Sequence, residues 1–377
     1  MTWAVPLTDV QITEEDVDAV LDCLRSGWLT MGPRTEAFEG AFADYVGSRH
    51  AVAVSSGTAA LHLAARAQQI EPGDEVIVPG LTFVASASAF RFVGAQPVFC
   101  DVESPTRPNL DPADVERRVT PRTKAVVAVH FCGYPADVLA LRELCDDRGL
   151  TLIEDAAQAV GATVDGTGRK TGTVGDIGCF SLFSKKQLCV GEGGMVVTDD
   201  DELAARVRSL RSHAMTTVTW DRHRGHANSY DVTDIGFNFR LDEPRAALGR
   251  SRLARLDADI AARRRTAQTY RDRLARLDGL ELAWDDTDVA HGSHFAFPIL
   301  LENRRARDDF REALADRDVQ TTWYPALQRF TEYRDQSRPP VPNVEAAADR
   351  HCALPLSSTF TEDQVEAVIR AVTTALT

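Results

Sequence analysis

The chain has 377 residues, 44% hydrophobic and 26% charged, which excludes both a minimal fold and a disordered polymer. Its formal charge of −14 argues against nucleic acid and membrane surfaces as partners, so any anionic ligand must be held by local donors. Seven scattered cysteines without a C-x-x-C spacing argue against a disulfide framework and against a thiolate metal site. The opening residues, MTWAVPLTDV, show no basic region followed by an apolar stretch, and a cytoplasmic protein is expected.

Thr13 reads as an N-cap, with Glu14, Glu15 and Asp16 in the first turn of a helix that Gly27 stops. A second helix carries Phe38, Phe42, Tyr45 and Val46. From residue 51 short apolar strands alternate with helices. The strands read as HAVAVSS, DEVIVP, QPVFCDV, KAVVAVHF, LTLIEDAA, GCFSLFS and GGMVVTDD. Between them GTAALHLAARA, TFVASASAFRFVG and PADVLALRELCDDRG read as helices, and DELAARVRSLRSH follows the last strand. Such alternation predicts an α/β fold with a mostly parallel central sheet flanked by helices.

Past residue 250 the texture changes. Leu253, Leu256, Ile260, Ala267, Tyr270, Leu274 and Leu277 predict one long amphipathic helix. A strand in HFAFPIL, a helix in RRARDDFREALADRD and a C-terminal helix complete a smaller α+β lobe. The division is therefore 1–250 for the large lobe and 251–377 for the small one, with the N-terminal helix free to pack on the latter.

Three stretches carry chemistry. In SSGTAALHL a strand runs through Ser-Gly-Thr straight into a helix. The free N–H groups there, with the helix dipole, can hold a phosphate, and Gly57 and Thr58 are the candidates. An ordinary N-cap turn reads the same way. In LTLIEDAAQAVGA, Glu154 and Asp155 end an apolar strand, where ligands of parallel sheets sit. Each carboxylate needs a partner there. His223/His226 and His291/His294 form H-x-x-H pairs in polar stretches without a third ligand, so they read as solvent-exposed rather than metal-binding. That leaves a pyridinium or a guanidinium for Asp155.

The third stretch is GCFSLFSKKQLCVGEGGMV. Only four lysines occur among 42 basic residues (Lys124, Lys170, Lys185 and Lys186), and two of them follow this apolar strand. An amine in apolar surroundings has a lowered pKa and becomes a usable nucleophile. A phosphate cup, a strand-end acid and a lysine are together what pyridoxal 5'-phosphate (PLP) requires.

With these stretches, and with SGWLTMGP, VIVPGLTFVASA, HFCGYPAD, RSHAM and GFNFRLDEPRAALG, the sequence resembles the DegT/StrS family of PLP-dependent sugar aminotransferases along nearly its whole length. The resemblance implies PLP fold type I, with residues 1–250 holding the cofactor. It implies that Lys186 is the lysine joined to PLP, five residues after Ser181 and five before Gly191, with Lys185 a bystander. Asp155 matches the acid at the pyridine nitrogen, Gln158 the residue beside the phenolic oxygen, and Phe83 the aromatic on the ring. Gly57, Thr58 and Ser181 match the phosphate cup. Asn238 matches an asparagine lent to the neighbouring subunit, which implies a homodimer with shared active sites.

Thr30 and Tyr324 match substrate positions. Around Tyr324 the family often has histidines, where this chain has Trp323 and Gln328. Residues 219–231, with Arg222, Arg224 and two histidines, read either as a diphosphate contact or as a solvated loop. The implied activity moves an amino group from L-glutamate or L-glutamine to a keto-sugar, a nucleotide-linked keto-deoxyhexose, with PLP cycling through pyridoxamine 5'-phosphate. A keto-cyclitol acceptor is the alternative, and a non-catalytic regulatory role a more remote one.

Overall fold

A computed structural model of the chain describes residues 3–164, 166–217, 220, 223–225, 229–336 and 339–376. Arg222 and His226 lie outside them. Seven strands make the central sheet: β1 (His50–Val54), β2 (Glu75–Pro79), β3 (Gln96–Cys100), β4 (Thr123–Val129), β5 (Thr151–Asp155), β6 (Ile177–Ser181) and β7 (Gly194–Thr198). Their order is β1-β7-β6-β5-β4-β2-β3. β6, β5, β4, β2 and β3 run parallel, whereas β7 is antiparallel to both of its neighbours. The runs EVIVP and GMVVT are buried at every position, as strands covered on both faces must be.

Helix α1 (Glu14–Arg25) opens with a reciprocal capping box. Thr13 Oγ1 accepts from the Asp16 amide, and the Asp16 carboxylate accepts from the Thr13 amide. α2 is Pro33–Val46, and α3 (Gly57–Ala67) follows β1 directly. α4 is only Ala85–Arg91, shorter than TFVASASAFRFVG suggested, because residues 80–84 turn before it. α5 (Pro112–Arg118), α6 (Val138–Arg148) and α7 (Asp201–Arg211) complete the helices of the sheet.

The long helix expected from Leu253 to Leu277 is two. α8 (Glu243–Leu253) stops at Ala254, and α9 (Leu256–Leu274) restarts. Arg255, between them, bonds the buried Asp16 carboxylate at 2.6 Å, so the break lets α1 dock on α8. α1 therefore packs there. The extended segment before it is what reaches the small sheet: Val5 exchanges backbone bonds with Asp318 and Gln320.

That second sheet, β10 (His351–Leu354), β9 (Phe297–Leu300) and β8 (Glu281–Leu282), is antiparallel. α9 joins the two cores. Leu256 and Ile260 pack with Phe38, Phe42 and Phe180, whereas Ala267, Tyr270 and Leu274 pack with Val5, Phe297 and Ile299.

One edge of the large sheet collects the chemistry. Asp155 lies opposite Cys179, Ser181 opposite Gly194, and Gly194 opposite Val54, so the ends of β5, β6 and β1 meet the start of β7. This is the carboxyl edge of the parallel strands.

Candidate active site

The first turn of α3 sits against the end of β6. A Cβ on Gly57 would stand 2.9 Å from Ser181 Cβ, and one on Gly194 would stand 2.4 Å from the Ser56 carbonyl oxygen. Only glycine permits this approach. Ser56 caps α3 by accepting from the Ala59 amide at 3.0 Å. The Gly57 and Thr58 amides, at the first two helical positions, are among the donors that a helix cannot satisfy internally. They and the Ser181 hydroxyl line a cradle that could hold an anion.

Lys186 stands on the turn between Ser181 and Gly194, the two residues that close that cradle. Its amine lies 4.3 Å from the centroid of the Phe295 ring. Burial pushes the amine down to about 8, against the opposing charge of Asp155. Lys185 is exposed.

The two strand-end acids have separate tasks. Glu154 accepts from the amides of Gly172, Val174 and Gly175 at 2.8, 2.6 and 2.6 Å. His130 Nε2 lies 3.0 Å away, and His130 Nδ1 accepts from the Ala136 amide, so Nε2 carries the proton and donates. Burial alone would raise the Glu154 carboxyl, but His130 and these amides hold it below its usual range. It pins a loop. Asp155 is also buried, yet among the described residues it makes no ion pair at contact distance: Oδ2 accepts from Ser86 Oγ at 2.6 Å and Oδ1 from the Ala157 amide at 3.1 Å. Burial pushes its carboxyl up, and those two bonds and the Lys186 charge pull the other way.

A buried polar layer ties the site to the segment before β9. Gln158 Oε1 accepts from the Cys132 amide at 2.7 Å, which leaves its NH₂ as the donor. Gln187, next to Lys186, donates to the Gln158 carbonyl at 2.7 Å and to Ser293 Oγ at 2.9 Å. Cys132, at φ 55°, accepts from the Phe295 amide at 2.9 Å.

Phe83 is 58% exposed on the turn before α4, so it is no core residue. Asn238 is exposed on an extended segment that bridges Ser212. Its neighbours Phe237 and Phe239 stack on each other and pack at a tilt against the buried His62 of α3. By alternation Asn238 faces away from α3. Thr30 is half-buried between α1 and α2, beside Trp28. Tyr324 packs edge-on to Phe131 at 5.0 Å, and its amide donates to His351 Nε2 at 2.8 Å.

The expectation of an exposed His291/His294 pair changes. His294 is fully buried, 3.2 Å from the Tyr134 hydroxyl, and His291 is half-buried and bonds Thr163 at 2.9 Å. Gln328 donates to Glu345 at 2.7 Å, and Trp323 stacks on the Arg307 guanidinium at 4.1 Å. Gln328 thus holds the 342–350 helix, and Trp323 packs on the 304–315 helix. Ser86, Thr82, Gln187, Ser293 and Phe295 drew no attention in the sequence because serines, glutamines and phenylalanines are common. The one available signal was the i, i+4 spacing of Thr82 and Ser86.

This sheet and edge define a PLP-dependent transferase of fold type I, and the cradle, the acid and the lysine fit the cofactor. The profile of the DegT/DnrJ/EryC1/StrS aminotransferase family matches residues 10–373. The spore coat polysaccharide biosynthesis protein SpsC of Bacillus subtilis (strain 168) is 36% identical, over 99% of this chain and 96% of that protein. Among solved structures, the aminotransferase TlmJ from Streptoalloteichus hindustanus is 36% identical with a TM-score of 0.91, over 99% of this chain and 98% of TlmJ. The putative sugar aminotransferase Spr1654 from Streptococcus pneumoniae, in its pyridoxamine-phosphate form, is 25% identical with a TM-score of 0.91, over 100% and 98% of the two chains. Its PLP form matches equally over the same shares, with a TM-score of 0.89. The chain belongs to the DegT/DnrJ/EryC1/StrS family and is a PLP-dependent sugar aminotransferase.

Proposed function

We propose that the enzyme moves an amino group from L-glutamate or L-glutamine to a nucleotide-linked keto-deoxyhexose, as a homodimer with shared sites. The observation that carries the reading is Lys186: a partly neutral amine over an apolar ring, on a turn whose two ends close an anion cradle, within the field of a buried acid. PLP, when bound, supplies an electron-withdrawing ring that carries nitrogen between donor and acceptor. The Gly57 and Thr58 amides and the Ser181 hydroxyl donate to its phosphate. Asp155, as the carboxylate, would accept a hydrogen bond from the protonated ring nitrogen, the Gln158 NH₂ would donate to the phenolic oxygen, and Phe83 would cover the ring.

Lys186 holds the cofactor and, once displaced by an incoming amine, moves the proton at the substrate carbon that bears nitrogen. An amine near 8 can both accept and release that proton near neutral pH. Asn238 of each chain reaches the other chain's phosphate. Support for a nucleotide comes from Trp28, two residues before Thr30 in the chain, and from Trp220 and His223; the three rings cluster within 4.6–5.8 Å of one another and offer stacking surface. Thr30 and Tyr324 would contact the sugar.

The test is an absorbance spectrum of the protein with PLP, followed on adding L-glutamate and then L-glutamine, and then a keto-sugar. The visible band should bleach with the donor and return with the acceptor. Inhibition of turnover by free nucleoside diphosphate supports the nucleotide-linked acceptor. Turnover of an inosose without such inhibition would replace it with a keto-cyclitol. No bleaching by any donor would remove the aminotransferase reading.

A further inference from the structure

Asp155 presents a physical difficulty. Its carboxylate is buried at a strand end, makes no ion pair at contact distance among the described residues, and is pushed by burial toward the protonated form. An acid that must keep a neighbouring ring nitrogen protonated has to remain ionised itself. Something has to hold the charge before the cofactor arrives.

We propose that Ser86 is the positioning residue that keeps Asp155 ionised and aimed, with Thr82 orienting the Ser86 hydroxyl. Ser86 Oγ lies 2.6 Å from Asp155 Oδ2 and 2.9 Å from Thr82 Oγ1. Both hydroxyl-bearing residues are buried. The single proton of Ser86 donates to the carboxylate, so Thr82 must donate to Ser86, and both dipoles point at the negative charge. The chain of donors comes from outside β5: Thr82 stands on the turn after β2 and Ser86 in α4, four residues on. The same turn carries Phe83, so one short segment both holds the acid and presents the aromatic face.

Oδ1, meanwhile, takes the Ala157 amide. The carboxylate is thus gripped at both oxygens, and its plane is fixed. A hydrogen bond to a charged group is worth enough to move a proton affinity by about tenfold or more. Among the described residues the groups facing Asp155 are Ser86, the Ala157 amide, the more distant Lys186 amine and His130 ring, and the buried Cys179 thiol opposite it on β6, which burial and the Asp155 charge keep protonated. His130 spends its own proton on Glu154, so it does not compete for this role.

This proposal deepens the PLP reading, yet its first test does not depend on it. The probe is the infrared band of the Asp155 carboxyl in the protein without cofactor, assigned by its loss in Asp155→Asn and titrated with pH. In Ser86→Ala the midpoint should rise by about one pH unit or more, and Ser86→Thr, which keeps the hydroxyl, should restore it. An unchanged midpoint in Ser86→Ala would overturn the proposal, as would a shift that Ser86→Thr fails to correct. Circular dichroism of each variant separates a lost fold from a shifted proton, and Thr82→Val, which keeps the shape, should give a smaller shift of the same sign if Ser86→Ala does not fold.

The second test uses the holoenzyme with ¹⁵N-labelled PLP. Ser86→Ala should move the ring-nitrogen resonance toward the unprotonated position and lower kcat with little change in KM for the donor. A wild-type protein that binds no PLP would defeat the functional reading while the infrared result still decides the role of Ser86.

Discussion

Gly57 and Ser181 stand so close that a single methyl group cannot be placed between them. A Cβ on Gly57 would lie 2.9 Å from Ser181 Cβ and 3.3 Å from its hydroxyl oxygen. Two elements remote in sequence, the start of α3 and the end of β6, are thereby brought to one point, where the free amides of one lie beside the hydroxyl of the other. Gly57→Ala should therefore weaken PLP about tenfold or more, close to 1.4 kcal/mol, while binding of pyridoxal, which lacks the phosphate, changes less. Parallel titrations with the two compounds check this.

Lys186 should leave a signature in the stability of the cofactor-free protein. Its amine falls from an ordinary 10.5 to about 8 in the fold. Between those values the unfolded chain binds the extra proton, so stability rises as pH increases from about 8 to about 10. Denaturant unfolding at several pH values should show that rise, and Lys186→Met should flatten it. The same variant should have no measurable turnover.

Neighbouring acids should fail differently. Glu154→Gln takes the charge from a carboxylate gripped by three amides and His130, and should cost about 3 kcal/mol of stability. Asp155→Asn should leave the melting temperature nearly unchanged or raise it, because burial already disfavours the charge, and should lower kcat by at least a hundredfold. Calorimetry and steady-state kinetics on both variants separate the two roles.

Acid should loosen the segment around Tyr324. His351 donates from Nδ1 to the Ala347 carbonyl and accepts the Tyr324 amide at Nε2, so it is bound as the neutral form. Burial pushes it down to about 4, and burial pushes His294 down to about 3. Both groups take up protons on unfolding below about pH 6.5, so stability falls as pH drops from there, by up to about 1.4 kcal/mol per pH unit for each histidine. His351→Gln should reduce the slope between pH 6 and 4 in acid unfolding followed by tryptophan fluorescence.

A shared site predicts complementation. Lys186→Ala and Asn238→Ala each impair both sites of a homodimer. Mixed dimers of the two contain one site with neither change, so dissociating and remixing the inactive preparations should restore up to about a quarter of wild-type activity, by random pairing of one intact site in half the dimers. No recovery, with subunit exchange confirmed by a mass-tagged chain, would place Asn238 outside the partner's site.

The alternation of strands and helices and the capped α1 were legible in local patterns, burial period and turn residues. The Gly57 turn and a rare lysine pair after an apolar strand were visible too, whereas the choice of Lys186 over Lys185 came only from the resemblance to the DegT/StrS family. What the chain could not show was direction and partnership. β7 turns antiparallel between β1 and β6, and the pattern GGMVVT reads the same either way. Glu154 and Asp155 are adjacent and chemically equivalent on paper. Only the tertiary structure sends one to the loop amides of residues 172–175 and the other to Ser86, because successive side chains of a strand face opposite sides of the sheet. His294 looked polar and exposed, yet it is buried against Tyr134 because the segment before β9 folds onto Cys132 and Gly133. Residue type and spacing thus determined which chemistry this protein carries. Which atoms hold which charge was decided by contacts between segments far apart in the chain, which no local pattern encodes.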